Sequence, residues 1–313
     1  MPSENLSISF PRVFLFEGLP GCESAHVWIS IPIFVMYLMA VIGNSLLLSL
    51  IMKERHLHSP MYYLLFILFV ADIIVCSSVV PRMLALFWMN VKEIPSISCL
   101  VQMFFIHFFI SFESGILLAM AFDRYVAICN PLHYTTTLTN TLIVKIVTVS
   151  LIRGTIIVTP CPVMASRLPY CQNNRIAHCY CDHMAVVTLA CTDITINSVF
   201  GLTVVMFLTI CDVTFIAVSY FFILRSVLKL SSRPAKKKAF STCTSHVFVF
   251  LTSYTLGAFS SVTHRIGNIV PCLHVIVGVF YMLIPPAINP IIYGVKTKEI
   301  RTAVYKVITQ LLK

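Results

Sequence analysis

Four groups of residues in this sequence are of types that do chemistry. Asp123-Arg124-Tyr125 sets an acid beside a base where an apolar run breaks off. Asp72, Glu113, Arg153 and Asp212 stand as isolated charges inside otherwise apolar stretches. His178-Cys179-Tyr180-Cys181-Asp182-His183 crowds metal-ligating types into one short segment. Twelve cysteines are spread along the chain. The chemistry open to these groups is proton or cation exchange between acids, disulfide formation and metal binding. No His/Glu metal motif and no nucleophile-base set accompanies them, so an enzyme is not expected.

The elements that hold these residues follow from composition. Of 313 residues 58% are hydrophobic and only 11% are charged, whereas a soluble protein carries about 25% charged residues. The chain lacks the polar surface to stay in water, and the membrane class is expected. A bilayer crossing needs about 20 largely apolar residues. Seven stretches qualify: 27–52, 61–89, 99–125, 142–163, 195–228, 239–264 and 271–293. The fold class expected is all-α, a single seven-helix transmembrane bundle over residues 1–313, with 1–26 leading in and 294–313 trailing. Residues 1–26 hold one short apolar run, Val13–Phe16, too short for a cleavable signal, so the first span is expected to act as an uncleaved anchor.

Basic residues set the orientation. Segments after spans one, three and five, with the tail, hold fifteen Lys and Arg, against six on the other side. That places the amino terminus outside and the tail in the cytosol, in a plasma-membrane protein. The net charge of +10 then reflects topology, and no nucleic-acid partner is expected. Asn5-Leu6-Ser7 is a glycosylation sequon on the outer side. In the tail, Ile300, Val304, Val307, Ile308 and Leu311 share a helical face among lysines, which suits a short helix lying against membrane lipid at the inner leaflet. On this topology Asp123-Arg124-Tyr125 lies at the cytosolic mouth of span three. There an arginine can pair with its neighbour or snorkel, and the cost of charge in lipid largely vanishes.

The triplet, seven spans and Asn289-Pro290-Ile291-Ile292-Tyr293 together resemble the rhodopsin-like G-protein-coupled receptors. Longer strings resemble the odorant receptors: LHSPMYY at 57–63, MAFDRYVAICNPLHY at 120–134, Ser219-Tyr220, KAFSTCTSH at 238–246 and NPIIYG at 289–294. The patterns LPYC…YCDHMAVVTLAC and HRIGN resemble the class I, fish-like group. The resemblance implies odorant binding and activation of a stimulatory, olfactory-type heterotrimeric G protein that raises cyclic AMP. It implies that Asp123, Arg124, Tyr125, Tyr220, Tyr254, Asn289, Pro290 and Tyr293 serve coupling and activation. Arg124 would hold helices three and six together at rest and meet the G protein when they part. Tyr254 stands where the tryptophan of helix six is usual, as is common in odorant receptors.

Spacing alone leaves the disulfide connectivity open. The resemblance implies Cys99–Cys181 and Cys171–Cys191. Cys22 precedes span one and Cys272 opens span seven, neighbouring helices in such a bundle, so a Cys22–Cys272 pair is expected as a clip over the outer face. With Cys181 oxidised, His178, Cys179 and His183 remain as candidate zinc or copper ligands; the other reading is a loop packed by one disulfide.

Asp72 lies about 17 Å and Glu113 about 18 Å from the cytosolic edge at 1.5 Å per residue. Two close acids do not both ionise cheaply, so one keeps a proton or a sodium ion binds. Receptors of this kind hold sodium near the acid of helix two, and Asn44 and Asn289 match other polar core positions; no cofactor beyond that ion is implied. Arg153 and Asp212 could pair with each other or with Glu113, and a purely structural network is the alternative.

A small odorant suits an apolar pocket with few polar anchors. His107, Ser111 and Ser114 share a face of helix three, and Gly257, Ser261 and Arg265 a face of helix six. Ile106, Ile110, Val204, Val205, Leu208 and Ala258 would line the walls. In the class I pattern HRIGN, Arg265 would anchor an acidic odorant. Ile106 stands where amine receptors carry an aspartate, which disfavours an amine. A peptide or lipid receptor is disfavoured by the short amino terminus, and a transporter by the lack of paired, broken repeats.

Overall fold

The computed structural model describes residues 10–171, 173–229, 232–263 and 270–311. Its helices are α1 (His26–Lys53), α2 (Pro60–Met89), α3 (Ser96–Cys129), α4 (Tyr134–Thr137), α5 (Asn140–Val158), α6 (Pro160–Ser166), α7 (His183–Val187), α8 (Thr195–Lys229), α9 (Arg233–Thr263), α10 (Pro271–Lys296) and α11 (Lys298–Leu311). Among the described residues six helical segments are long and apolar enough to cross a membrane, and α9 adds a shorter apolar stretch, His246–Phe259. The protein is a multi-pass membrane protein built as a seven-helix bundle. α1 packs on α2 and α10, α2 on α3, α3 on α5 and α8, and α9 bridges α8 and α10. The spanning helices are apolar nearly all round because one side meets lipid and the other meets neighbours. Ile42, Ile97 and Ile196 point outward, while Asn44, Asp72 and Asn289 turn inward.

Several helices outrun the apolar spans. α3 continues four residues past Tyr125, because Val126–Cys129 still pack on the bundle before Pro131 stops the helix. α9 starts six residues before Ala239, since the basic run from Arg233 is helical although it is not apolar. The fourth span is two helices: α5 ends at Val158 and α6 restarts with Pro160 at its first turn, where its missing N–H costs nothing. α11 follows α10 after a single non-helical residue, Thr297, and buries Ile300 and Ala303 against the bundle. Lys306 Nζ reaches Glu54 Oε1 at 2.9 Å, tying α11 to the end of α1. The side chains of Val307, Ile308 and Leu311 lie outside the described residues.

A three-stranded sheet caps one end of the bundle. Its order is β2 (Glu93–Pro95), β1 (Val13–Phe16), β3 (Arg175–Ile176), with β1 antiparallel to β2 and parallel to β3. The register sets Phe14 opposite Ile94 and Phe16 opposite Ile176. Strand alternation sends Phe14 and Phe16 to one face, where both are fully buried. The apolar run Val13–Phe16 is thus the central strand of a cap. Three disulfides fasten this end: Cys22–Cys272, Cys99–Cys181 and Cys171–Cys191. Gln102 Nε2 donates to Ser78 O at 2.7 Å while its Oε1 accepts from Cys181 N at 3.0 Å, so α2, α3 and the loop close on one amide.

The Cys22–Cys272 bridge closes 250 residues of chain, and its removal is expected to destabilise the protein by about 2–4 kcal/mol. Cys22→Ser, Cys272→Ser and the double variant should melt at the same, lowered temperature in detergent. A double variant that falls well below either single one would show that the two cysteines act separately.

Candidate ligand cavity

Beneath the sheet and the loop lies a cavity of about 210 Å³. α3 supplies Ile106, His107, Ile110 and Ser111 to its wall. Val204, Val205 and Leu208 come from α8, and Gly257 and Ala258 from α9. Each of these was legible in the sequence through helical spacing on the outer halves of helices three, five and six. Ser261 belongs to α9, but its side chain, all of Arg265 and Asn5 lie outside the described residues.

The loop forms the roof, with Tyr180, Asp182, His183 and Met184 facing the cavity. Asp182 caps α7, accepting from the backbone N–H groups of Met184 at 2.9 Å and Ala185 at 3.3 Å. Its other oxygen stands 3.9 Å from His107 Nε2, and His107 Nδ1 is bonded to Met103 O at 2.8 Å. Sequence spacing missed Asp182 as a wall residue. Its signal was the Asp before a short apolar run, a helix-start pattern.

One side of the cavity is a charged junction of four helices. Arg153 Nη1 meets Asp212 Oδ1 at 3.1 Å, and Nη2 donates to Ser111 O at 2.8 Å and Ser114 Oγ at 2.6 Å. Tyr254 donates to Asp212 Oδ2 at 3.3 Å. Of the two partners open to Arg153, Asp212 is the one it takes. Gly115 makes the junction feasible, since a Cβ there would meet Ser150 Oγ at 2.6 Å. Tyr254, Ser111, Ser114 and Asp212 also line the cavity, so the junction forms part of its wall.

Below the cavity lie the two acids. Asp72 is fully buried and accepts from Asn289 Nδ2 at 2.9 Å through Oδ2. Glu113 lines the cavity floor, within electrostatic reach of Asp72. Asp72 Oδ1, Glu113 Oε1 and Asn289 Oδ1 are buried oxygens without a protein hydrogen-bond partner. Oxygen donors of this kind fit a hard cation such as sodium. Asn44 Oδ1 is likewise buried without a protein hydrogen-bond partner, while its Nδ2 donates to Ala40 O at 2.8 Å and Pro286 O at 3.0 Å, fastening α1 to α10.

At the opposite end of the bundle, Arg124 bonds Asp123 through Nε and Nη2, and Tyr134 donates to Asp123 Oδ1 at 2.8 Å. Tyr134 opens α4, and burial together with the Asp123 charge pushes its phenol above the usual range. Tyr220 and Tyr293 bring buried hydroxyls toward this region, and Tyr125 packs on Phe222 of α8. Pro290 packs against α1, where a Cβ on Gly43 would meet its ring at 2.8 Å.

The metal reading of the loop is corrected. Among the described residues no three His, Cys, Asp or Glu side chains are grouped to hold a metal ion. The cause is the fold of the loop: the His178 ring packs on Tyr180 with centroids 4.1 Å apart, Cys179 is fully buried, and His183 opens α7 at the cavity. The three side chains diverge, and Cys179 serves as a small packing residue whose thiol burial pushes well up.

A family model described as olfactory receptor matches residues 33–311. The chain belongs to the olfactory receptor family. Human olfactory receptor 52K1 is 50% identical to it over 302 residues, 96% of either chain. Human olfactory receptor 52K2 is 48% identical over 305 residues, 97% of either chain. Mouse olfactory receptor 51E2 is 48% identical over 292 residues, 93% of this chain and 91% of its own. These names fit the class I group. Membership makes the protein an odorant receptor coupled to a G protein and not an enzyme.

Two outcomes are expected. Asp212→Ala leaves the Arg153 guanidinium half-buried without its counter-charge and should lower stability by about 3–5 kcal/mol. Tyr254→Phe, which removes one hydrogen bond to the carboxylate and leaves the ion pair, should cost less, about 1.5–3 kcal/mol; melting curves of the purified receptor compare the two. Maleimide at pH 8 should leave Cys179 unlabelled in the folded receptor and label it after denaturation, as read by peptide mass spectrometry.

Proposed function

We propose that the receptor binds a small odorant carboxylic acid in this cavity and, when occupied, activates a stimulatory, olfactory-type G protein that raises cyclic AMP. The observation that carries this reading is the cavity: apolar walls from α3, α8 and α9 with a few polar groups on one side. Such a site suits a small, weakly soluble molecule. The carboxylate preference rests on the sequence. Arg265 follows Ala258 by seven residues, with Ser261 a turn before it and no acid within a turn. A guanidinium gives a carboxylate two charge-assisted hydrogen bonds. Within the described wall, His107 is the polar group beside which the headgroup would settle, and Ile110, Val205 and Leu208 would take the tail.

The amino terminus would face outward, with Asn5 glycosylated, and α11 would lie along the inner leaflet of the plasma membrane. The excess of Lys and Arg on the Arg124 side supports that orientation. The Asp123–Arg124–Tyr125 end, with Tyr220, Asn289, Pro290 and Tyr293 above it, would then face the G protein. Tyr254, expected to serve activation, lines the cavity and donates to Asp212 beside it, so a bound odorant would touch it directly. A sodium ion or a shared proton at Asp72 and Glu113 would set the resting level of signalling.

A cyclic-AMP reporter challenged with carboxylic acids and their methyl esters tests the reading. The acids should activate and the esters should fail. Arg265→Ala should lower potency roughly ten- to a hundredfold with surface expression kept, and Arg265→Lys should recover little, because an ammonium lacks the planar fork. Equal responses to acid and ester would overturn the carboxylate assignment. Asp72→Asn should change how basal signalling depends on sodium or pH; an expressed variant that tracks the parent across both makes the acid pair purely structural.

A further inference from the structure

Gly257 lines the cavity from α9, yet it has no side chain with which to grip a ligand. The space beside it is filled by Tyr281 of α10. A Cβ built on Gly257 would stand 3.0 Å from Cε2, from Cζ and from the hydroxyl oxygen of that residue. Carbon atoms in good contact keep about 3.5–4.0 Å, so the ring could not stay where it is beside a larger residue. The three atoms form the tip of the side chain. Tyr281 therefore reaches from α10 across the seam and rests on the backbone of α9. Tyr281 lines the cavity as well. Its ring lies between Gly257 and the open space, and a side chain placed at Gly257 would drive the tip inward.

The ring is seated there without being fastened. The Tyr254 hydroxyl, three residues back on α9, is held by Asp212. The Tyr281 hydroxyl makes no hydrogen bond among the described residues. Its backbone is loosely held too. Pro285 and Pro286 have no N–H to offer the carbonyls of Tyr281 and Met282, four residues before them in α10. By contrast, Val204, Val205 and Leu208 stand on α8, a helix with no internal proline. Crowding at Gly257 would thus be relieved by movement of Tyr281, at the expense of the cavity.

We propose that Gly257 sets the size of odorant that the receptor accepts, and that it does so through Tyr281. The tail taken by Ile110, Val205 and Leu208 is bounded on the α9–α10 side by this ring. The absent side chain at Gly257 lets the ring stand back, and the room so left suits a slim, unbranched aliphatic chain. Gly257 is a positioning residue, because it acts through the ring and supplies space instead of a contact. The inference rests on the cavity being the odorant site, as proposed above, but not on the nature of the headgroup.

The test challenges the full-length receptor, in a cyclic-AMP reporter, with straight-chain carboxylic acids from butanoic to decanoic acid and with the primary alcohols of the same lengths. Each series that activates the parent gives a best chain length. Gly257→Ala should shorten it by about one or two carbons, with roughly a fourfold loss of potency for each methylene no longer accommodated. Tyr281→Leu, which lacks the ring tip, should lengthen it. Adding Gly257→Ala to Tyr281→Leu should change nothing further, because the group through which the glycine acts is gone. A glycine needed only for helix packing would instead weaken the response to every length alike, in both backgrounds. Surface labelling establishes that each variant reaches the membrane. Where Gly257→Ala does not, the longer chains accepted by Tyr281→Leu decide the matter. If Gly257→Ala keeps the parent's best length, or shifts it equally with and without the ring, the inference is overturned. A Tyr281→Leu receptor that gains nothing from longer chains overturns it too. If the shifts appear with the alcohols while the acids stay silent, the inference stands and the carboxylate reading falls. A parent silent to both series overturns the reading of the cavity as a site for such chains, and this inference with it.

Discussion

Charge inside lipid has to be shared between helices, and that constraint organises this receptor. A polar group alone in hydrocarbon costs several kcal/mol, so Arg153, Asp212, Asp72 and Asn289 are placed where helices meet. The Arg153–Asp212 contact is the fullest case. It draws α5 to α8, takes in α3 through Ser111 and Ser114, and takes in α9 through Tyr254. Remove it and the side of the cavity loses its reason to be where it is. The apolar walls are only wall-shaped because this junction holds four helices at fixed distances. Asp72 with Asn289 does the same for α2 and α10.

The two ends of the bundle solve different problems. The capped end must be rigid enough to enclose a small molecule, and it uses covalent bonds and a sheet for this. Gln102 is the quiet member, because one side-chain amide both anchors the loop at Cys181 and braces α2 against α3. The other end keeps its main charged contact within one short stretch of chain, Asp123 to Arg124 and Tyr134. It has no disulfide among the described residues. A fixed cap over a less covalently restrained base suits a protein that must register a ligand at one end and rearrange at the other.

Much of this was legible in the sequence, for stated reasons. Apolar runs of membrane length reveal spans without tertiary knowledge, and residues such as His107, Ser111 and Val205 announce a shared lining through helical spacing. What stayed hidden depends on contacts between distant segments. Val13–Phe16 reads as too short to matter until Lys92–Pro95 and Arg175–Ile176 lie beside it. Asp182 reads as a helix cap and gives no sign that its second oxygen faces His107. The crowding of His178, Cys179 and His183 suggested a metal because sequence proximity was taken for spatial convergence. The loop's fold sends those side chains to a tyrosine ring, a core and a cavity. Arg153 had two partners in prospect, and only the bundle decides between them.

The placement of β1 has a consequence for how the chain is made. The strand that leads the chain is the middle strand of the cap, and its parallel neighbour is not synthesised until residue 176. Cys22, close behind it, waits longer still, for a partner 250 residues downstream. During translation the leading segment therefore has only one of its two neighbours, β2, to settle against until then, and its thiol stands beside cysteines that mature earlier, Cys99 and Cys171 among them. Correct assembly requires that those cysteines find Cys181 and Cys191 before Cys22 intrudes. The cap is thus the last part of the receptor to close, and its closure marks a chain whose helices have all been inserted.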